Sequence, residues 1–367
     1  MRILSETSRA VEARVVLRLN AWEEFLSIQQ HQWAIAASCP DDWGHLIEQC
    51  GGGFFHSPAG LWSGMPDGAP FFARLARGTR TAGIALGVRR RCSLSKHARH
   101  VYLPTLPALG DAVSRDAALA GLVRTLAGQG SAEVVIDSFD ARWSPNGASG
   151  AASITPRQEY VVRLEPGCTA EALARRCAAG QRRHLRRGER DGWVVRMLAG
   201  DEARGALAHV QHVASSRAAD RGNGFVPYAP RSSTELAGAA LDAPWGMLTL
   251  AAFRGDVLLC AALIGFAGKR AFYCVGGSTP EGYHASAASW LHWRIMRVLA
   301  EHGYTAYNLG GTPASAAQPD DPAHGLFRFK TGMGADVVPC AGACWVFSPI
   351  HLRAHGLARR LIAPFHA

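Results

Sequence analysis

The sequence predicts an α/β (α+β) chain built as two similar halves, each a mixed, largely antiparallel sheet flanked by helices. Three observations predict it. Apolar residues make up 48% and charged residues 19%, a balance that supplies a substantial core rather than a disordered chain. The 367 residues suffice for two domains of ordinary size. The order of apolar runs is also the same in both halves: short strands, a helix, then a final buried strand.

Residues 1–40 are weakly patterned and read as an extension. From Asp41, "DDWGHLIEQC" reads as a helix stopped by Gly51–Gly53. The runs FFARLARG, TAGIALGVRRR and HVYLP read as strands, "RDAALAGLVRTLAGQG" as a helix and "AEVVIDSF" as a buried strand. The stretch 142–158, rich in Ser, Pro, Gly and Asn, reads as a linker, which gives domains over 1–150 and 155–339. Residues 340–367 are expected to pack back on the first. In the second half "EYVVRLEP" reads as a strand and 169–191 as one helix capped by Thr169. "WVVRML" is then a strand and 201–220 a helix. Three strands follow, the first two joined by a Gly-Asp hairpin turn. A loop at "VGGS", a long helix ended by Gly303, the strand "TAYNLGG" and a closing strand at "ACWVFSPIHL" complete the chain.

No apolar run reaches the ~18 to 20 residues of a membrane span. The start, "MRILSETSRAVEAR", has no apolar core of a signal peptide. Nine scattered cysteines without a CxxC pair suit reduced thiols, so the expectation is a cytoplasmic protein, monomeric, with no stable membrane insertion and no metal. The net charge is +10, carried almost wholly by arginine, whose planar fork suits phosphates. Arg182, Arg183, Arg186, Arg187 and Arg190 fall on neighbouring helical positions as a cationic ridge with one acid, Glu189, within it. Such a ridge suits a phosphate backbone, with steep salt dependence.

Strands, a helix and a last strand in this order are those of the GNAT acyltransferase fold. "FFHSPAGLW", "AGQRRHLRRGERDGWVV" and "YNLGGT…GLFRFKTGMG" occur in an order and spacing that resembles the FemABX peptidyl aminoacyltransferases and their relatives with two GNAT-like halves. The resemblance covers most of residues 41–345. It implies transfer of an aminoacyl group from aminoacyl-tRNA to an amine, with charged tRNA as donor and partner and no bound cofactor. The family's Phe-Lys pair matches Phe329 and Lys330, and it implies that Lys330 stabilises charge developing during transfer. Lys330 is one of three lysines in an arginine-rich chain. As an ordinary residue it would be a solvated lysine on a strand, "LFRFK".

Around it, Asn308 is expected to hold a turn or orient substrate. Gly310 and Gly311, with Gly276, Gly277, Ser278, Tyr283, His284 and Arg328, form the expected donor site. Glycines allow positive φ and expose backbone N–H groups to an anion or carbonyl. In a GNAT fold the 275–286 loop and the following helix receive the pyrophosphate of CoA. The acetyl-CoA signature is absent there, and its one match, Arg80–Ala85, lies inside a strand. Trp62, Arg221, Phe225, Tyr228 and Tyr273 are the expected acceptor contacts. The peptidoglycan branch has a lysine after its "S…W" turn and some members carry a helical hairpin; this sequence has neither. That favours a small-molecule or peptide amine, as in natural-product biosynthesis. The alternatives are an acyl-CoA N-acyltransferase, a cell-wall precursor aminoacyltransferase, and a non-catalytic nucleic-acid binder that would not need Lys330.

Overall fold

The computed structural model describes residues 32–61, 67–92, 95–110, 113–143, 150–165, 167–220, 236 and 238–348. Its strands form one sheet in the order β1-β2-β3-β4-β6-β13-β7-β12-β11-β10-β9-β8, with β5 paired to β3. The first half supplies β1 (Gln32–Ala36), β2 (Ala69–Arg77), β3 (Arg80–Cys92), β4 (Ser95–Leu103), β5 (Ala108–Leu109) and β6 (Ser131–Ile136). The second supplies β7 (Ser153–Arg163), β8 (Val194–Leu198), β9 (Trp245–Arg254), β10 (Val257–Ala267), β11 (Arg270–Ser278), β12 (Ala306–Thr312) and β13 (Asp336–Val346). The helices used below are α1 (Trp43–Gln49), α2 (Arg115–Gly128), α3 (Ala170–Arg176), α4 (Ala179–Arg190), α5 (Gly200–Ala219), α6 (Pro280–Ala285), α7 (Ala287–Glu301) and α8 (His324–Gly332).

The repeated grammar reappears as repeated topology. Antiparallel β2-β3-β4 is followed by α2 and then by β6, which pairs with β4 in parallel. Antiparallel β9-β10-β11 is followed by α6 and α7 and then by β12, parallel to β11. Each helix spans the connection that two parallel strands require. The C-terminal strand β13 lies between β6 and β7 and pairs antiparallel with both, joining the halves.

Burial explains which faces pack. Helix α7 lies against β9, β10 and β11 and buries Trp290, Leu291, Ile295, Met296 and Leu299 in one core with Leu248, Ala262 and Ile264 of those strands. At ~1.5 to 3 kcal/mol for each large apolar side chain, this face dominates the second core. Helix α4 approaches α7 at Gly188, where a Cβ would stand 2.4 Å from Cδ1 of Trp290. The opposite face of β9–β11 packs on α5 and on Phe54 and Phe55 of the first half. The first core is built on α2, with Leu119, Leu122 and Leu126.

Four local expectations are corrected. The single helix over 169–191 is two: Thr169 caps α3, accepting from the Ala172 N–H, but Cys177 turns extended (φ −72, ψ 146). The Ala178 N–H there donates to Gly332 O at 2.8 Å, so docking on α8 overrides helical propensity. The stretch 142–158 is not all linker, since Ser153–Gln158 pair with Pro339–Cys344 of β13, a partner remote in sequence. The basic run "LFRFK" is helical, in α8, and Gly334 (φ 79) makes the turn into β13. The closing strand starts at Asp336, before "ACWVF".

Candidate active site

The site arises where two parallel strands part. Strands β11 and β12 pair only at Arg270–Ala306, Ala271–Tyr307 and Phe272–Asn308, and then run on to Ser278 and Thr312 without pairing each other. Each carries an irregularity at that level. The register of β11 against β10 slips around Cys274, and that of β12 against β7 slips between Asn308 and Gly311. A bulge adds a residue on one strand and bends it, so two bulges here open a V. Residues Tyr273 to Gly277 on one arm are half-buried rather than sealed.

Lys330 reaches this opening from α8. It is 3% exposed, and its Nζ donates to Gly311 O at 2.8 Å and stands 5.6 Å from the ring centroid of Tyr160. Burial lowers its pKa from 10.5 to about 7, opposed by the nearby carboxylate of Glu159. The solvated-strand reading of Lys330 is therefore wrong on both counts: the residue is helical and buried. Phe329 beside it is half-buried, with its ring 5.6 Å from that of His292.

His292 was missed in the sequence, where it is one apolar-face position of a long helix. It is buried, its Nδ1 pairs with the Tyr307 hydroxyl at 2.9 Å, and the Tyr273 ring meets it edge-on at 4.7 Å. Burial, with the charge of Lys330, lowers its pKa to about 3, so the imidazole is neutral. Tyr273, expected to contact the acceptor, thus joins the wall of the V.

Asn308 is fully buried on the other face of β12. Its Nδ2 donates to Asp140 Oδ1 (3.0 Å) and Glu159 Oε2 (2.8 Å), and its Oδ1 accepts from the Gly310 N–H at 2.8 Å. Gly310 sits at φ 73, in the left-handed region that glycine enters without strain. Asn308 therefore holds the turn. Asp140 in turn takes a bidentate ion pair from Arg270, and Arg157 bridges Glu159 (2.7 Å) and Asp137 (3.6 Å). No motif announces these acids and arginines, because their partners come from distant strands.

The remaining expected donor residues separate. Gly276, Gly277 and Ser278 are strand, not loop. A Cβ at Gly276 would meet Ala261 O at 2.3 Å, and one at Gly277 would meet Val210 O at 2.7 Å. Neither has positive φ, so close packing by β10 and α5 requires them small. Gly311 likewise approaches Gln158 O. Tyr283 lies under the Arg217 guanidinium at 4.2 Å, and His284 and Arg328 are exposed. On α4, Arg183 and Arg186 are exposed, whereas Arg187 and Arg190 pair with Asp191 and Arg182 bonds the Cys177 carbonyl. Glu189 is used by the Trp290 indole. Trp62, Arg221, Phe225 and Tyr228 lie outside the described residues.

A cavity of about 820 Å³ lies on the Asn308 face of the sheet, between β7 and β12 and the loops of the first half. Glu159, Asn308, Arg270 and Asp140 line one end, and His56, Leu106 and Arg115 line the first-half side. His56 Nδ1 accepts from the Gly53 N–H (3.1 Å) and its Nε2 donates to Leu106 O (2.9 Å), and burial lowers its pKa to about 4.

Antiparallel strands, a helical connection and a parallel strand, built twice, make two tandem GNAT-like halves, and the parallel pair of the second half parts beside the buried Lys330. Residues 175–330 match the family described as "Acetyltransferase (GNAT) domain". A 78-residue segment is 33% identical to a Lipid II:glycine glycyltransferase of Staphylococcus saprophyticus, covering 21% of this chain and 19% of that protein. The enzyme of the same name from Staphylococcus aureus is 32% identical over 78 residues, 18% of its length. The matched segments thus span about a fifth of these relatives. A crystal structure of FemX superposes with a TM-score of 0.57 at 15% identity, covering 79% of this chain and 89% of that one, a likeness of fold. Over these segments the chain is similar to the GNAT acetyltransferase domain and to the Lipid II:glycine glycyltransferases, and over most of its length it shares the fold of FemX.

Proposed function

We propose that the chain transfers an aminoacyl group from aminoacyl-tRNA to the amine of an acceptor, forming an amide. The observation that carries the reading is Lys330, buried at the V between β11 and β12 with its Nζ fixed on Gly311 O. In the reaction the acceptor nitrogen attacks the ester carbonyl, a C–N bond forms, the C–O bond to the ribose breaks, and the amine's proton passes to the leaving oxygen. The Lys330 ammonium keeps two N–H bonds beyond the one to Gly311 O. Aimed at the developing oxyanion or the leaving oxygen in a desolvated site, they stabilise charge that appears only in the transition state. Neutral His292 and the rings of Tyr160, Tyr273 and Phe329 keep the surroundings of low polarity, which strengthens that interaction.

Exposed Arg183 and Arg186 offer a phosphate-binding strip on α4, whose leading end docks on α8 through Ala178 and Gly332. The relatives' names make an amine on a cell-wall precursor the first acceptor to test. A small-molecule amine is the second, favoured by the missing lysine after Ser57 in the sequence. The test is donor use: product from labelled aminoacyl-tRNA lost on ribonuclease treatment supports the reading, and transfer from an acyl-CoA unaffected by ribonuclease refutes it.

A further inference from the structure

Glu159 is 1% exposed, and its carboxylate accepts from three donors: Asn308 Nδ2, the Asp140 N–H at 2.9 Å and Arg157 Nη2. Burying a carboxylate costs several kcal/mol even when paired. Donors alone converge on it, which suits an acceptor-only group and not an amide. The side chains of β7 alternate, so Tyr160 faces Lys330 while Glu159 faces Asn308 on the other side of the sheet. Gly310 and Gly311 lie between. A Cβ built on Gly311 would be 3.6 Å from Glu159 Cγ, and one on Gly310 would be 3.6 Å from Lys330 Nζ. No side chain of β12 therefore stands between carboxylate and ammonium at this point.

We propose that Glu159 is the positioning residue of the transfer site. It holds Asn308, which fixes Gly310 left-handed and aims the Gly311 carbonyl at Lys330, and its charge acts across the two glycines to keep that ammonium protonated. The proposal rests on the reading of Lys330 given above. The other groups facing Lys330 are Tyr160, from β7, and His292, from α7. Those facing Glu159 are Asp140, Arg157, Arg270 and the Cys340 thiol. Arg157 and Arg270 are cations that Glu159→Gln leaves in place, so the variant removes only the negative partner.

The chain has three lysines, so labelled-lysine NMR resolves Lys330, assigned by its loss in Lys330→Met. In Glu159→Gln the Lys330 titration midpoint is expected to fall by about one pH unit. The acceptor KM should stay within about twofold, while kcat at pH 7.5 falls about tenfold. Glu159→Asp, which retains the charge, should restore most of the midpoint and part of kcat. A folded Glu159→Gln protein with an unchanged Lys330 midpoint overturns the proposal. If Glu159→Gln does not fold, Asn308→Ala carries the test: kcat should fall with KM and the Lys330 midpoint nearly unchanged, and an unchanged kcat overturns it. The titration is read without turnover, so absence of transfer by the wild-type protein would count against the function and not against this coupling.

Discussion

Lys330→Met should make the protein inactive and more stable, and the gain should depend on pH. The ammonium of Lys330 has left water, and its pKa falls from 10.5 to about 7. At 1.36 kcal/mol for each tenfold change in proton affinity, the charged form is penalised by about 5 kcal/mol in the folded chain. The sign follows by linkage. Below pH 7 lysine is charged in both states, and the fold bears the whole penalty. Between pH 7 and 10.5 only the unfolded chain holds the proton, so stability rises with pH until the penalty vanishes. Methionine has no such penalty at any pH. Against this, Gly311 O loses its donor, at about 1 to 3 kcal/mol. The net expectation is a gain of about 2 to 4 kcal/mol at pH 6.5 that becomes a loss of up to about 2 kcal/mol by pH 10. Urea unfolding of wild-type and Lys330→Met protein at four pH values measures it. A difference that is constant across pH, or a destabilised variant at pH 6.5, would refute the reasoning.

Three further outcomes follow from the same geometry. His56 and His292 are held neutral, with pKa values of about 4 and about 3, so the unfolded chain binds protons first as pH drops below 6.5. Stability should fall between pH 6.5 and 4 by about 3 kcal/mol for each histidine, and His292→Phe should lose less over that range when followed by thermal unfolding. Gly310→Ala places a side chain at φ 73 and a methyl 3.6 Å from Lys330 Nζ. It should cost about 1 kcal/mol in urea stability and lower kcat by more than tenfold, because the Gly311 carbonyl moves. Arg183→Ala with Arg186→Ala should weaken filter-binding of uncharged tRNA and reduce the slope of log K against log salt by about 2. An unchanged slope would exclude this strip from the phosphate contacts.

Much of the architecture was legible in the sequence because local signals set it. Gly stops, apolar periodicity and the hairpin turn at Gly255–Asp256 placed most strands and helices, and the repeated order placed the helix and final strand of each half. The expectations failed where a distant partner decided. Ser153–Gln158 look like linker until β13 pairs with them, and Cys177 breaks a helix because the end of α8 docks there. Lys330 stood out through its rarity among arginines and its family match, yet its helix did not, since "LFRFK" alternates like a strand. Glu159, Asp140, Arg157 and Arg270 are ordinary charges in sequence. Only the sheet brings them to Asn308. The glycines at 276 and 277 carried a misleading signal: they are small because Val210 and Ala261 press on them.

The central claim is that Lys330, in the V between β11 and β12, supports aminoacyl transfer from tRNA. Single-turnover transfer from labelled aminoacyl-tRNA to an amine acceptor, by wild-type and Lys330→Met protein, tests it most directly. The account predicts a ribonuclease-sensitive amide product from the wild type and a rate reduced at least a hundredfold in the variant, with tRNA binding retained. Undiminished transfer by Lys330→Met would contradict it.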